Sequence, residues 1–352
     1  MPDWTKTMSQ SFEYYVVDPN TWCDIKKLDV VKSCSITRDS DADTLGSATL
    51  EVDDLLGESY VRIYLITIQN GVKERFPLGT FLTQTPSSNF DGKVRSVSLD
   101  AYTPLIELKE NLPPLGYCVF KNANIMDSVY SIANAHMRAP VIKTSDDKTL
   151  YGNFVAETND TWLSFLTDLM GNTTYEFDLD ELGRLLFKPK QKVETMQPIW
   201  TYNDDNGSIL CPDLSCTHDI FGIPNVVEVI YSDDTHLLYS KAINDDPSSP
   251  TSVPSRGRII TERSINPDLG GIPNQTLLDK YANDLLKELS SIEYTVSYSH
   301  GYCPVRVGDC VRINYTRSGF NNVKAKVVSQ TIDCKTGCTV SETAVFTTKL
   351  WR

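Results

Sequence analysis

The sequence predicts an α+β fold that is mainly β: a β domain at each end of the chain, an α+β domain between them, and a helical and loop insertion in the second β region. Three observations carry this expectation. Alternating, β-branched runs broken by turn residues fill residues 12–108 and return after Ile292; two segments of helical apolar period lie between them; a third follows a Pro/Ser/Asp-rich stretch near residue 250. The expected bounds are 1–108 for the first β domain, 109–196 for the α+β domain with two helices and a hairpin, and 197–352 for the second β domain, its insertion at about 240–290.

In the first region "VVKSCSITRD", "GSATLEV", "YVRIYLITIQNG", "FPLGTFLTQTPSS" and "GKVRSVSLDAY" read as strands, with turns at Asn70-Gly71, Pro86-Ser87-Ser88 and Asp91-Gly92. Short strands at this spacing fit a sandwich or a small barrel. "ENLPPLGY" then stops the β pattern. "NANIMDSVYSIANAHM" sets Ile125, Val129, Ile132 and His136 on one helical face, with His136 a half-buried packing residue. After the strand-like "YGNFVAE", "TNDTWLSFLTDLMGN" repeats Trp162, Phe165, Leu166 and Leu169 with helical period; Thr158 or Asn159 is the expected N-cap and Gly171 the stop. "TTYEFDLDELGRLLFKP" is a hairpin turning at Asp180–Gly183.

Residues 197–225 are loop-rich, and "NVVEVIYSDD" resumes alternation. "NDDPSSPTSVPSRGR" has a linker composition. "NQTLLDKYANDLLKELS" is an amphipathic helix carrying Leu277, Tyr281, Leu285 and Leu289, capped by Asn274 after Pro273. The two β regions also echo each other. "YVRIYL" from Tyr60 returns as "CVRINY" from Cys310, and a glycine-initiated β run follows each copy, from Gly92 and from Gly337. In this frame the cluster "HGYCPVRVGDCVRINY" is a turn at Gly308-Asp309 feeding a strand rather than a metal site.

Composition narrows the function classes. Lys and Arg number 33 against 46 Asp and Glu, a net charge of −13, which argues against gripping nucleic acid by its phosphates. An acidic wall still suits a conduit, because it keeps phosphates from adhering. Nine cysteines, at C-x4-C, C-x6-C and C-x3-C spacings, match no zinc ribbon, and reduced thiols serving as small apolar side chains are expected. No apolar run would span a bilayer and the start lacks a signal peptide, so synthesis in a cytoplasm is expected.

Candidate chemistry is sparse. Four histidines, at 136, 218, 236 and 300, limit acid–base mechanisms. Cys216 beside His218 and Asp219, and His300 near Cys303, are the nearest approaches to a nucleophile site, yet adjacent residues seldom face one another. Asp39, Asp41 and Asp43 have calcium-loop spacing, but Thr44 and Leu50 stand where that loop needs glycine and glutamate. No P-loop, G-x-S-x-G, H-E-x-x-H or dinucleotide fingerprint occurs. The expectation is therefore no enzyme, no cofactor and no metal.

The phrases "SITRDSDADTLGSATLEV", "RFPLGTFLTQTPS", "GKVRSVSLDAYTPLIEL", "SHGYCPVRVGDCVRIN" and "KAKVVSQTIDCKTGCTVSETA", with the terminal "LW", resemble in order and spacing the tail or baseplate hub proteins of tailed bacteriophages and related contractile injection systems. The resemblance implies two tail-tube-like β-barrels separated by the α+β domain, and a homotrimer whose six barrels match a hexameric tube. It implies a structural virion protein, assembled in the host bacterial cytoplasm, that continues the tail tube at its distal end. The implied partners are the tail tube protein or a distal tail ring, the tape measure protein, and baseplate wedge, spike or fibre proteins. DNA would pass without tight binding, and Asp39, Asp41, Asp43, Asp53 and Asp54 are candidates for the acidic lumen. Because the chain stops at Trp351-Arg352, right after the second β region, the expectation is a hub alone, closer to the contractile-tail version. The alternatives are a cell-wall-degrading tail enzyme and a receptor-binding tail protein.

Overall fold

Asn70 and Gly71 both take positive φ, 51° and 80°, the backbone that a two-residue hairpin turn requires. They join β5 (Tyr60–Gln69) to β6 (Val72–Phe90) in a computed structural model that describes residues 2–53, 57–90, 92, 95–218, 221–233, 237–267, 274–290 and 292–348. The other strands of the first region are β1 (Ser9–Val17), β2 (Asp24–Leu28), β3 (Val31–Asp39), β4 (Gly46–Val52) and β7 (Arg95–Tyr102). Next come α1 (Ile106–Glu110), β8 (Cys118–Val119), α2 (Ile125–His136), β9 (Phe154–Val155), α3 (Trp162–Gly171), β10 (Tyr175–Leu179) and β11 (Leu185–Pro189). The remainder holds β12 (Trp200–Asn203), β13 (Leu210–His218), β14 (Val226–Ser232), β15 (Leu237–Ile243), α4 (Val253–Arg256), β16 (Thr261–Ile265), α5 (Gln275–Leu289), β17 (Ile292–Gly301), β18 (Cys310–Asn314), β19 (Val323–Asp333) and β20 (Thr339–Thr348). The fold is α+β and mainly β.

The echo between the β regions is present in the topology. In the 13-stranded sheet the first region runs β5-β6-β7-β4-β3 and the last runs β18-β19-β20-β17-β13, the same connectivity in the same chain order. Even the outer neighbours correspond, since β1 pairs with β5 and β12 with β18, the latter pair parallel. The two sets join where β19 lies antiparallel to β3, Thr331 opposite Thr37. Among the described residues the hydrogen-bonded order is open, its main path ending on β2 and on β13 and its branch through β18 ending on β12.

Two compact units divide the chain: Met1–Leu214 with Tyr298–Ala344, and Ser215–Ser297 with Val345–Arg352. In the first, β5 is apolar on both faces because it is covered on both, and Val61, Ile63 and Leu65 are wholly buried. Buried Arg62 interrupts that run. Its guanidinium donates to Thr80 Oγ1 (2.8 Å), Asp24 Oδ1 (2.9 Å) and the carbonyls of Trp22 and Leu182 (3.2 Å each), so every donor set that burial strips of water is satisfied by protein.

The α1, α2 and α3 helices bury Leu108, Val129, Phe165, Leu166 and Leu169 in one core cluster. The α3 helix starts at Trp162, later than the sequence suggests, because Thr161 and Ser164 cap each other. Thr161 Oγ1 accepts from the Ser164 N–H (3.1 Å) and Ser164 Oγ from the Thr161 N–H (2.9 Å), an exchange that contributes about 1 kcal/mol. The Asp180–Gly183 turn forms as expected: Asp180 Oδ1 accepts from the N–H groups of Leu182 (3.0 Å) and Arg184 (2.8 Å), and Gly183 sits at φ 75°.

The second unit has its own core. Leu278, Ala282 and Leu286 of α5 pack on Val227, Val229 and Ala242 of the β15-β14-β16 sheet. The expected stripe of Leu277, Tyr281, Leu285 and Leu289 is its half-buried flank, one position off the centre. Asn274 caps α5 as expected, accepting from the Leu277 N–H (3.0 Å). The stretch with linker composition is packed instead of free: Ser249 and Thr251 are wholly buried, and Asn244 Nδ2 donates to Ser249 Oγ (3.0 Å). Its serines and threonines supply local partners that a periodic element would otherwise provide. Among the described residues no helix is long and apolar enough to cross a membrane.

Candidate functional site

A cleft of about 890 Å³ in the first unit is lined by the β3–β4 loop, the start of α3, β10 with its turn, and the Arg306–Asp309 loop. Nine carboxylates and five cations line it. The β10 strand sets Glu176 and Asp178 on one face by its two-residue period, and Asp180 continues the series into the turn. Several charges are already matched: Glu176 by Lys326 (3.5 Å), Asp178 by Lys188 (2.5 Å), Asp180 by Arg184 (2.6 Å) and Glu181 by Arg306 (2.6 Å). Arg306 also donates to the Leu179 carbonyl. Asp309 closes the loop by accepting from the Arg306 N–H (2.8 Å), and burial pushes its carboxyl above the usual range.

The structure separates the lumen candidates. Asp39, Asp41 and Asp43 border the cleft together, where the Asp39 carboxylate accepts from the Asp41 N–H (2.9 Å) and Asp43 pairs with Lys109 (2.8 Å). Asp53 is exposed at the opposite end of β4 and pairs with Lys32. Asp54 lies outside the described residues. The other cleft carboxylates were missed by sequence reasoning, although alternating acids in "YEFDLDE" are a readable signal of one acidic strand face.

Arg38 connects the cleft wall to a buried polar network. Its Nη2 donates to Leu78 O (2.5 Å) and its Nη1 to Gln330 Oε1 (2.9 Å). Gln330 Nε2 donates on to Val305 O (3.0 Å) and Glu342 Oε1 (2.7 Å). Glu342 Oε2 accepts from Tyr298 (2.8 Å) and Tyr202 (3.2 Å) and faces His300 Nε2 at 3.2 Å, while His300 Nδ1 reaches Gly301 O at 2.7 Å. An imidazolium donating both N–H groups fits these contacts. Burial alone would lower the His300 pKa; its contacts with Cys303 and Glu342 prevail and raise it to about 10. Burial works against the Glu342 carboxylate too, yet the bonds from His300, Tyr298 and Gln330 hold it below the usual range.

His300, Glu342 and Cys303 thus come together, three residue types that could form a nucleophile triad. The geometry opposes that use. Cys303 Sγ lies 3.9 Å from His300 Nδ1, beyond a close hydrogen bond, is wholly buried and is not among the residues that line the cleft. The arrangement clamps β12, β17, β19 and β20 together. Cys216 is exposed, while the His218 side chain and Asp219 lie outside the described residues. The expected packing role of His136 is met, its ring stacking on Trp162 at 4.2 Å and 21°. Among the described residues no group of three or more His, Cys, Asp or Glu could hold a metal ion.

No protein-family model matches the chain, and no curated protein resembles it in sequence. Solved structures do resemble it over nearly its whole length. A tail protein from Neisseria meningitidis is 14% identical with a TM-score of 0.67, covering 96% of each chain. A 43 kDa prophage tail protein from Shewanella oneidensis is 10% identical with a TM-score of 0.64, covering 95% of this chain and 98% of the other. A chain of the Francisella PdpA–VgrG complex is 8% identical with a TM-score of 0.57, covering 97% of this chain and 53% of the other. The fold of this chain is therefore the fold of phage tail proteins, shared with a VgrG-containing assembly.

Proposed function

We propose that the chain is a structural hub protein of a phage tail or of a related contractile injection machine. Three copies form a ring at the distal end of the tail tube, and residues 1–108 and 197–352 of each copy supply two tube-like β sectors flanking residues 109–196. The observation that carries this reading is the repeated strand order of the two β regions, since a duplicated sector lets a threefold ring match a sixfold tube. The full-length likeness to tail proteins supports it. The ring would hold tube, tape measure and baseplate or spike components, and the likeness to a chain of the PdpA–VgrG complex supports partners of that kind. Labelling the chain in intact particles is expected to mark the tail tip, with a native mass of three copies for the isolated ring. Label on the head or on distal fibres would remove the reading.

Within that ring, Asp39, Asp41, Asp43 and Asp53 contribute to the acidic lumen, with negative charge keeping phosphates from adhering. Particles carrying Asp39→Lys, Asp41→Lys and Asp43→Lys together are expected to assemble normally but to release DNA several-fold more slowly at low salt. Unchanged release kinetics in time-resolved dye uptake would take these residues out of the lumen.

A further inference from the structure

Cys34 and Cys334 stand 300 residues apart in the chain yet face each other at the junction of the two β regions. The β19–β3 register sets Ile332 opposite Ile36 and Asp333 opposite Ser35. Its next step brings Cys334 opposite Cys34, and the Cys334 N–H donates to Cys34 O at 2.9 Å. Both cysteines are buried, as are Ile36 and Ile332 two positions along, so the four side chains share the inner face. Cys334 lies one residue past the end of β19 and a single backbone bond holds it beside Cys34; opposed residues in an antiparallel ladder stand with Cα atoms about 4.5–5.5 Å apart, inside the roughly 4.4–6.8 Å that a disulfide spans. The contact is electrostatically visible as well: the Cys34 thiol, followed by burial, pushes the ionisation of Cys334 up. All nine cysteines are free thiols in this structure.

We propose that Cys34 and Cys334 are an oxidisable thiol pair whose disulfide staples the first β region to the last. The oxidant is hydrogen peroxide, small enough to approach through the exposed turn at 335–337. The Cys334 thiolate attacks one peroxide oxygen, the O–O bond breaks, and water leaves once the released oxygen is protonated, giving a sulfenic acid. Cys34 then attacks that sulfur, the S–S bond forms and a second water leaves. Each sulfur loses one electron, and the peroxide takes up two. Because the Cys334 thiol is held protonated, the step is slow, and the product persists once formed. Cys338, buried in the same turn, is the competing partner. The inference is independent of the tail reading.

The test treats the native full-length chain with hydrogen peroxide, alkylates the remaining thiols and maps peptides without reduction. The expected product is one linked pair, Cys34 with Cys334, about 2 Da lighter than the dithiol and reversed by dithiothreitol. Cys34→Ser and Cys334→Ser each abolish it, and Cys338→Ser retains it. The linked chain is expected to melt roughly 5 °C or more above the reduced chain. A Cys334–Cys338 link, or recovery of both thiols unlinked from the native wild-type chain, overturns the pair without recourse to any variant. A link with no change in melting overturns its stapling role.

Discussion

Replacing Glu342 by alanine is expected to lower stability by about 3–5 kcal/mol, the usual cost of stranding a buried charge. Glu342 and His300 are both essentially inaccessible, and Glu342 faces four donors at once, from Tyr298, Tyr202, Gln330 and His300. Alanine leaves the His300 imidazolium without its counter-charge and the Tyr298 hydroxyl without its acceptor in a dry site, while Gln330 keeps its bond to Val305 O. Glu342→Gln keeps the shape and one acceptor and is expected to cost less, mainly through the lost attraction to the imidazolium. Urea unfolding followed by circular dichroism measures both. The pH dependence identifies the charge. The folded pKa of His300 is raised from 6.5 to about 10, so its contribution is fully present below 6.5 and fades as pH rises toward 10. The folded pKa of Glu342 is lowered from 4.5, so its contribution is fully present above 4.5 and is lost as pH falls through the depressed value. The wild-type advantage over Glu342→Gln should therefore be largest between pH 4.5 and 6.5. A difference that stays flat from pH 5 to 10 would mean that His300 is neutral in the fold.

Local periodicity made most elements legible, because a strand or amphipathic helix writes its buried face into its own residues. "YVRIYLITIQNG" and "NQTLLDKYANDLLKELS" needed no partner to be read. The buried network could not be read in this way. Its members sit on β12, β17, β19 and β20, with Tyr202 and Glu342 140 residues apart, and sheet order rather than sequence spacing brings them together. His300 looked like part of a turn cluster because its neighbours in sequence, Cys303 and Gly301, are visible while Glu342 is not. The cleft lies between these cases. Its β3–β4 acids stood out as a run, whereas Asp309 gains its setting from the Arg306 loop. The packing of the stretch after Asn244 is not legible in its residues, because Ser, Thr and Pro mark both free linkers and self-satisfied turns, and only tertiary burial separates them.

The second large effect is expected at Trp162, where alanine should cost about 3–5 kcal/mol. Trp162 is the first residue of α3 and is almost wholly buried; Tyr117 packs against it edge-on at 4.8 Å and His136 stacks on it. Its backbone N–H donates to Asn111 O (2.9 Å), just past the end of α1, and its ring stacks on His136, the last residue of α2. Removing the indole opens a cavity bounded by aromatic rings that cannot collapse together without moving two helices. Trp162→Phe should recover more than half of the loss. His136 supplies a local readout that global unfolding does not: burial lowers its pKa below the ordinary value, and exposing one ring face should raise it toward 6.5 in a histidine NMR titration. An unshifted His136 together with a loss under 1 kcal/mol would mean that the stack contributes little and that α3 is held by Phe165, Leu166 and Leu169.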